Sequence, residues 1–393
     1  MLGGIGGYGN SYVDYLLDAG AAHGARIVAA ADPAPAGCKR LAELKALGVP
    51  VLPTLDEALE AAPADLVVLS TPISLHAPHA CTALARGAHV LCEKPLCASL
   101  ADARSLFEAR ARAGRQVAVG YQWSFCETTL ALKRDILAGR FGAPRRLKTL
   151  VLWPRDRAYY HRNRWAGRQR DDQGRWVLDS PVNNAVAHHL QHMLFLLGGR
   201  IDRSLCPDAV TAELYRANAI ENYDTAMLRA RAANGAEILF TASHAVQRTV
   251  NPTCLFEFEL ATIAFSDATG NRFVARFGNG ETRDYGSPDQ HDRKLWTTID
   301  CVRTGAPVPC GLEAAAAHTL CMLGAQQSSV ITPFPASLIR STGEGNNTLV
   351  SVDGMEETLE RCHDANRLPS EAGVPWAKPG RDVALAPLFK ALA

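Results

Sequence analysis

Over the first 120 or so residues, short apolar runs alternate with stretches whose apolar positions recur every three or four residues. Residues 25–31 (ARIVAAA), 49–52, 66–70 (LVVLS), 89–92 and 116–119 read as strands. Between them, residues 11–19, 39–47, 55–61, 77–86 and 101–113 carry helical periodicity. Strands that are apolar on both faces and separated by helices predict a parallel sheet covered on both sides.

The pattern then changes. Residues 226–232 and 237–244 flank Asn234-Gly235, a strong hairpin signal. Residues 254–263 alternate Phe256, Phe258 and Leu260 against Glu257 and Glu259, which predicts one strand with a wet face. Residues 272–277 read as a further strand and 355–366 as a helix, with Met355, Leu359 and Cys362 on one side. A doubly wound α/β domain over residues 1–122 is therefore expected, followed over 123–393 by an α+β domain with a large, mainly antiparallel sheet. Helix 128–138 lies near the boundary.

Composition narrows the class. The 393 residues are 47% hydrophobic and 21% charged, which suits folded domains and excludes wholesale disorder. Lys+Arg 41 against Asp+Glu 40 leaves a net charge of +1, which argues against a nucleic-acid partner. No apolar run reaches the ~20 residues of a membrane helix, and the N-terminus has no secretory pattern. Eleven cysteines, an odd number without a C-x-x-C pair, read as reduced thiols in the cytoplasm.

Gly4-Ile5-Gly6-Gly7-Tyr8-Gly9 fits G-x-G-x-x-G, and it precedes a helix, a strand and an acid, Asp32. In that context Gly4 makes the tight turn, Gly6 lets a pyrophosphate approach and Gly9 permits close helix–strand packing. Gly7 and Tyr8 complete the turn, and the helix N-terminus offers amides to phosphate. Asp32 is expected to take adenosine ribose hydroxyls and disfavour a 2′-phosphate, so NAD is expected over NADP, with Lys39 and Arg40 nearby as the counterargument. Only Met1, Leu2 and Gly3 precede the motif, and a natural start upstream is expected.

Three further groups carry chemistry. Glu93-Lys94-Pro95 follows strand 89–92, where an open parallel sheet presents its ligand. A lysine enclosed there can serve as a proton donor or acceptor, whereas a surface lysine before proline is the plainer alternative. Residues 183–192 (NNAVAHHLQH) read as one helix, with Leu190, Leu194 and Leu197 on a core face and Asn184, His188 and Gln191 or His192 on another. Neutral histidine can accept an alcohol proton. The His188/His192 spacing also permits zinc, but no third ligand is evident, so no metal is expected. Finally, arginines 155, 157, 162, 164, 168, 170 and 175 interleave with Tyr159, Tyr160 and Trp165. They suit a carboxylate, phosphate or sugar, and equally a solvated loop or subunit contact.

Together these motifs resemble the glucose–fructose oxidoreductase/inositol dehydrogenase family (Gfo/Idh/MocA). The resemblance rests on Gly4–Gly9, on residues 66–99 (LVVLSTPISLHAPHACTALARGAHVLCEKPLCAS) and on 119–125 (VGYQWSF), where Ser124 stands in place of the family's arginine. It implies that Thr71, Pro72, His76 (in the loop after the strand), Glu93 and Lys94 face the cofactor, and that Lys94 handles a proton. His188 matches the histidine of the family's D-x-x-x-H, whose aspartate is Asn184 here. The resemblance also implies dimers or tetramers formed through the C-terminal sheet.

The leading expectation is an NAD-dependent dehydrogenase acting on a hydroxyl carbon of a sugar, cyclitol or related polyol. Its proton-moving groups are Lys94 and His188, and Tyr121, Gln122, Arg162, Asn163 and Trp165 are candidates for holding the substrate. Two alternatives stand beside it: a lyase or glycosidase that oxidises its substrate transiently, and a non-catalytic sensor of NAD and ligand, to which Asn184 lends weight.

Overall fold

The computed structural model describes residues 1–288 and 290–392, and the chain divides into two compact units. The first comprises Met1–Cys126 and residues 290–316, with Leu392; the second comprises Glu127–Pro288 and Ala317–Ala391.

The N-terminal unit alternates strand and helix: β1 Leu2–Gly3, α1 Gly9–Ala19, β2 Ala30–Ala31, α2 Leu41–Ala46, β3 Val51–Leu52, α3 Leu55–Ala61, β4 Leu66–Leu69, α4 Ile73–Ala85, β5 His89–Cys92, α5 Leu100–Ala113 and β6 Val117–Val119. Six parallel strands are ordered β3-β2-β1-β4-β5-β6. The order reverses between β1 and β4, so the turns leaving those two strands border the crevice where such sheets hold ligands. Val67, Leu69, Val90 and Leu91 are wholly buried, as expected of strands covered on both faces. Strand β2 is shorter than the expected 25–31 because β1 offers only Leu2 and Gly3 to pair with Ala30 and Ala31. Helix α3 begins with a capping box, Thr54 accepting from the Glu57 amide while Glu57 accepts from that of Thr54.

The C-terminal unit is built on α6 Glu127–Leu137, β7 Pro144–Leu152, α7 Arg157–His161, α8 Ala187–Leu196, β8 Ala209–Arg216, β9 Thr225–Arg231, β10 Glu237–Ser243, β11 Val250–Phe258, β12 Ala261–Phe265, β13 Phe273–Phe277 and β14 Thr282–Gly286. The chain continues through α9 Arg293–Thr304, which belongs to the first unit, and α10 Leu312–Ser328. It ends with β15 Thr332–Pro333, β16 Ile339–Thr342, β17 Leu349–Val352, α11 Met355–Asp364, β18 Val383–Ala384 and α12 Ala386–Lys390. The main sheet has ten strands in the order β14-β13-β12-β11-β7-β10-β9-β8-β15, with β18 also on β8. Its pairings are antiparallel except β7–β10 and β8–β15. Met355 and Leu359 of α11 pack with Leu150, Leu152 and Tyr215 of the sheet, so the helical face expected there is the one that is buried.

Two expectations are corrected here. Residues 254–263 form parts of two strands, β11 and β12, because Leu260 is 53% exposed at the turn between them rather than inside the apolar face. Residues 183–192 are not one α-helix either: Pro181–Ala185 is a π-helical turn, Val186 leaves helical geometry at φ −119°, and α8 follows. Among the described residues, no helix is long and apolar enough to cross a membrane.

Candidate active site

In the N-terminal unit the site begins where β1 ends. Gly4 has φ +84°, and a Cβ there would lie 2.7 Å from the Ser70 carbonyl oxygen, so only glycine makes this turn beside β4. At Gly9 a Cβ would stand 2.2 Å from the Gly4 carbonyl oxygen, so helix α1 starts closer to the strand than any side chain permits. These are the roles read for the two glycines. Asp32 Oδ2 accepts from the amides of Ile5 (2.9 Å) and Gly6 (3.1 Å), and Oδ1 accepts from that of Ala34 (2.8 Å). The carboxylate that ends β2 therefore shapes the glycine turn itself.

Asn10, in the first turn of α1, donates to the Gly7 and Gly37 carbonyls at 3.1 Å each and accepts from the Lys39 amide at 2.7 Å. It fastens the glycine turn to the segment after Asp32, a role that no local pattern announces. Arg40, named as a counterargument to NAD, is engaged by Asp18 and Glu43.

Thr71 and Pro72 follow β4, with Pro72 at the N-terminus of α4. His76 lies within α4, not in a loop, and is buried. Its Nδ1 is 2.7 Å from the Pro95 carbonyl oxygen and its Nε2 is 2.9 Å from that of Thr71. The ring thus bridges the turns after β4 and β5. Burial lowers its pKa against the pull of the two carbonyls.

Glu93 and Lys94 follow β5. Glu93 is buried: Tyr12 Oη donates to Oε1 at 2.6 Å, Lys294 of α9 forms an ion pair with it, and the Lys94 amide donates to Oε2 at 3.2 Å. Burial alone would raise the carboxyl pKa, but the Lys294 charge and the hydrogen bonds from Lys294 and Tyr12 outweigh it, and the net direction is down. Lys294 Nζ also donates to Tyr8 Oη at 3.0 Å and lies 4.5 Å from the Tyr8 ring centre. The backbone that presents Lys94 is therefore tied through one buried carboxylate to α1 and, through Lys294, to the glycine turn. Lys94 itself is half-buried, and its bond to Pro95 is cis. Tyr121 and Gln122, read as substrate contacts, are buried in this unit at 1% and 9% exposure; burial raises the Tyr121 phenol pKa well above its ordinary value.

In the C-terminal unit the candidate residues lie on the π-helical turn and α8. Across residues 181–198 every residue is buried except Asn184, Ala185 and His188. That places Asn184 and His188 on the one open face of the stretch. Gln191 and His192, grouped with them from spacing, are in the core: Gln191 donates to Ser204 Oγ at 3.2 Å, and His192 lies 3.3 Å from Thr129 Oγ1 against the Phe256 and Phe273 rings. Burial holds His189 and His192 down at about 3, so both are neutral imidazoles.

Asn184 Nδ2 donates to Asp179 Oδ1 at 2.7 Å. Asp179, buried and not foreseen from the sequence, also accepts from the Gly167 amide at 2.6 Å and faces Arg162 at 3.6 Å. Leu178 just before it has φ +48°, a region that non-glycine residues avoid, and this kink is held by Asn183, which donates to the Val177 and Leu178 carbonyls. His318 of α10 lies 3.0 Å from the Val182 carbonyl oxygen and pins the π-helical turn. The carboxylate missing from position 184 is therefore present one hydrogen bond away.

Of the remaining candidates, Asn163 is committed to its own turn, accepting from the Trp165 and Ala166 amides at 3.0 and 2.8 Å. Arg162 stacks on Tyr159 at 3.7 Å and reaches Trp165 at 5.5 Å. Among the described residues, no group of three or more His, Cys, Asp or Glu side chains is arranged for a metal.

Comparison with known proteins adds to this geometry. An inositol 2-dehydrogenase of Klebsiella pneumoniae is 28% identical over 175 residues, covering 44% of this chain and 47% of the relative. One of Streptomyces avermitilis is 38% identical over 125 residues, covering 31% and 35%. The chain thus spans about half or less of the length of the curated relatives it matches. The crystal structure of the WlbA dehydrogenase from Bordetella pertussis, in complex with NADH and UDP-GlcNAcA, superposes with a TM-score of 0.68 at 25% identity, covering 82% of this chain and 93% of that one. Residues 1–121 match the model of the Gfo/Idh/MocA oxidoreductase family, described as an NAD-binding Rossmann fold.

Proposed function

We propose that the chain is an NAD-dependent dehydrogenase that oxidises a hydroxyl carbon of a sugar, cyclitol or related polyol. The observation that carries this reading is the shared carboxyl edge of the parallel sheet. The glycine turn after β1, Asp32 after β2, Thr71-Pro72 after β4 and Lys94 after β5 all leave the strands at that edge. The residues fit a dinucleotide: the turn brings backbone and the start of α1 to the phosphates, and Asp32 would take the ribose hydroxyls. Bound there, NAD supplies the hydride acceptor.

The chain's own residues handle the proton. The base that accepts the substrate's hydroxyl proton is assigned to His188 or to Lys94. The relatives that are inositol 2-dehydrogenases support a cyclitol or sugar substrate. The same reading places the protein in the cytoplasm, where its eleven cysteines stay reduced, and as a homodimer or homotetramer through the ten-stranded sheet. The test is NADH formation against a panel of aldoses, cyclitols and uronates. Turnover with at least one class is expected; tight NAD binding without NADH from any of them would overturn the assignment.

A further inference from the structure

Seven arginines lie between residues 155 and 175, and the structure separates them by how their charge is answered. Arg168 pairs with Asp172 and Glu221, Arg175 with Asp171 and Arg162 with Asp179. Arg170 stacks on Trp176 at 3.4 Å and donates to the Gly174 carbonyl, while Arg157 and Arg164 are exposed. Arg155 differs from all of these. It is half-buried, its guanidinium lies 5.6 Å from the Trp153 ring centre and 4.8 Å from that of Tyr159, and no acidic side chain pairs with it among the described residues. Its Nε is buried without a hydrogen-bond partner. A sheltered cation that lacks a carboxylate is a costly arrangement unless a ligand supplies one.

A second orphaned atom lies beside it. His244 is 2% exposed and packs edge-on against Tyr159 at 5.6 Å, and its carbonyl accepts the Arg155 amide. Its Nδ1 is 2.8 Å from the Trp153 carbonyl oxygen, which can only accept, so this nitrogen carries the hydrogen. Burial and the nearby Arg155 hold the ring down at about 3, so it is neutral and Nε2 bears a lone pair. That Nε2 is buried with no partner. Tyr159 therefore sits among Arg155, Arg162 and His244. Arg162 leads through Asp179 to Asn184, on the open face shared with His188.

We propose that Arg155 and His244, arranged around Tyr159, form a subsite for the carboxylate and neighbouring hydroxyl of a polyhydroxylated acid, so that the substrate is a sugar acid rather than a neutral sugar. Arg155 donates to the carboxylate and His244 Nε2 accepts the hydrogen of a neighbouring hydroxyl. A neutral sugar leaves the guanidinium unanswered. This inference deepens the dehydrogenase reading and names its substrate class.

The experiment is calorimetric titration of the NADH-loaded full chain with D-glucuronate and D-glucose, repeated with Arg155→Gln and Arg155→Lys. Glucuronate should bind at least about tenfold more tightly than glucose, reflecting a charge-assisted hydrogen bond. Arg155→Gln should erase that preference, weakening glucuronate roughly 10–100-fold while leaving glucose and NADH unchanged. Arg155→Lys should restore part of it, since it keeps the charge but loses the fork. Equal binding of the two sugars, equal weakening of both by Arg155→Gln, or displacement of glucuronate by inorganic phosphate at lower concentration than by acetate would overturn the proposal. NADH formation is read separately. Arg155-dependent glucuronate binding without turnover of any polyol would sustain the subsite and remove the dehydrogenase reading; turnover of neutral sugars indifferent to Arg155 would do the reverse.

Discussion

Lys294 and Glu93, 201 residues apart in the chain, form an ion pair sealed inside the N-terminal unit, with side chains 0% and 9% exposed. The pair is also hydrogen-bonded outward, Lys294 to Tyr8 and Glu93 to Tyr12. A buried charge loses its hydration, and both members keep their charge here only because each answers the other. Lys294→Met should therefore destabilise the unit by about 3–5 kcal/mol, leaving a bare carboxylate, whereas Lys294→Met combined with Glu93→Leu should recover much of that loss. Chemical denaturation of the two variants checks this, and equal loss in both would show that the pair contributes by packing alone.

The pH window of this pair follows from the directions of the shifts. Glu93 is lowered, so its contribution is present above the ordinary carboxylate value of about 4.3 and is lost as pH falls through its own lower value. Lys294 is raised by Glu93 and Tyr8 despite its burial, so its contribution holds below about 10.4 and is lost only above that. The wild-type advantage over the double variant should accordingly be flat from about pH 5 to 10 and shrink outside that range. A denaturation series across pH measures it directly.

Acid should unfold the C-terminal unit earlier than carboxylates alone would predict. His189, His192, His244 and His363 are each held at about 3, chiefly by burial, against an ordinary 6.5. The unfolded chain binds those protons first, so stability is full above about 6.5 and falls as pH drops toward 3. Each histidine forfeits about 1 kcal/mol over the first pH unit below 6.5. His192→Phe, in contact with Phe256 and Phe273, should reduce the proton uptake on unfolding near pH 5.5 by about one. An unchanged pH slope in that variant would mean that His192 is not held neutral in the fold.

What the sequence displays depends on how far apart the cooperating residues are. Gly4, Gly9, Asp32 and Glu93-Lys94-Pro95 were legible because each motif shapes its own turn or strand end. Lys294, Asn10 and Asp179 were not, since each acts through contacts that only the folded chain brings together. Leu260 continued an apolar alternation that the backbone abandons at a turn. Helical spacing placed Gln191 and His192 beside His188, but of the three only His188, in the first turn of α8, is half-open, and the other two face the core one turn later. Asn163 was named among the candidates for holding the substrate, and its side-chain oxygen accepts from two amides of its own turn, a contact that the sequence does not display.

The proposed ribose contact of Asp32 makes cofactor choice testable. Its Oδ2 holds the Ile5 and Gly6 amides and its Oδ1 that of Ala34, which leaves one of its roughly four acceptor positions, on Oδ1, for a ribose hydroxyl. Asp32→Ser should weaken NAD by the loss of a charge-assisted bond, about 1.5–3 kcal/mol, and narrow its advantage over NADP. Because the glycine turn loses its acceptor as well, NADP should also weaken somewhat. Fluorescence titration with both reduced cofactors checks this, and an unchanged ratio would assign the preference elsewhere.

The last prediction concerns His188 and the amide that precedes it by four residues. A hydride leaves a carbinol carbon only as its hydroxyl proton departs, and general-base assistance is worth about 10²–10⁴-fold. Lys94→Ala and His188→Ala should each depress kcat by that order while NAD binding survives. Asn184 is neutral, but its Nδ2 is anchored 2.7 Å from Asp179, which fixes which end of the amide is turned away from that carboxylate. Replacing Asn184 with Asp sets two carboxylates at this distance, so one of the pair takes up a proton more readily than usual. Above that titration the added negative charge stabilises a protonated His188. The neutral base is then available only at higher pH, and the acid limb of kcat/KM should move upward. Asp179→Asn removes negative charge from the same group and should move that limb downward, with Arg162 freed from its partner. Opposite displacements in the two variants would tie His188 to this carboxylate. Identical profiles, together with near-normal turnover in His188→Ala, would show that the proton leaves by another route.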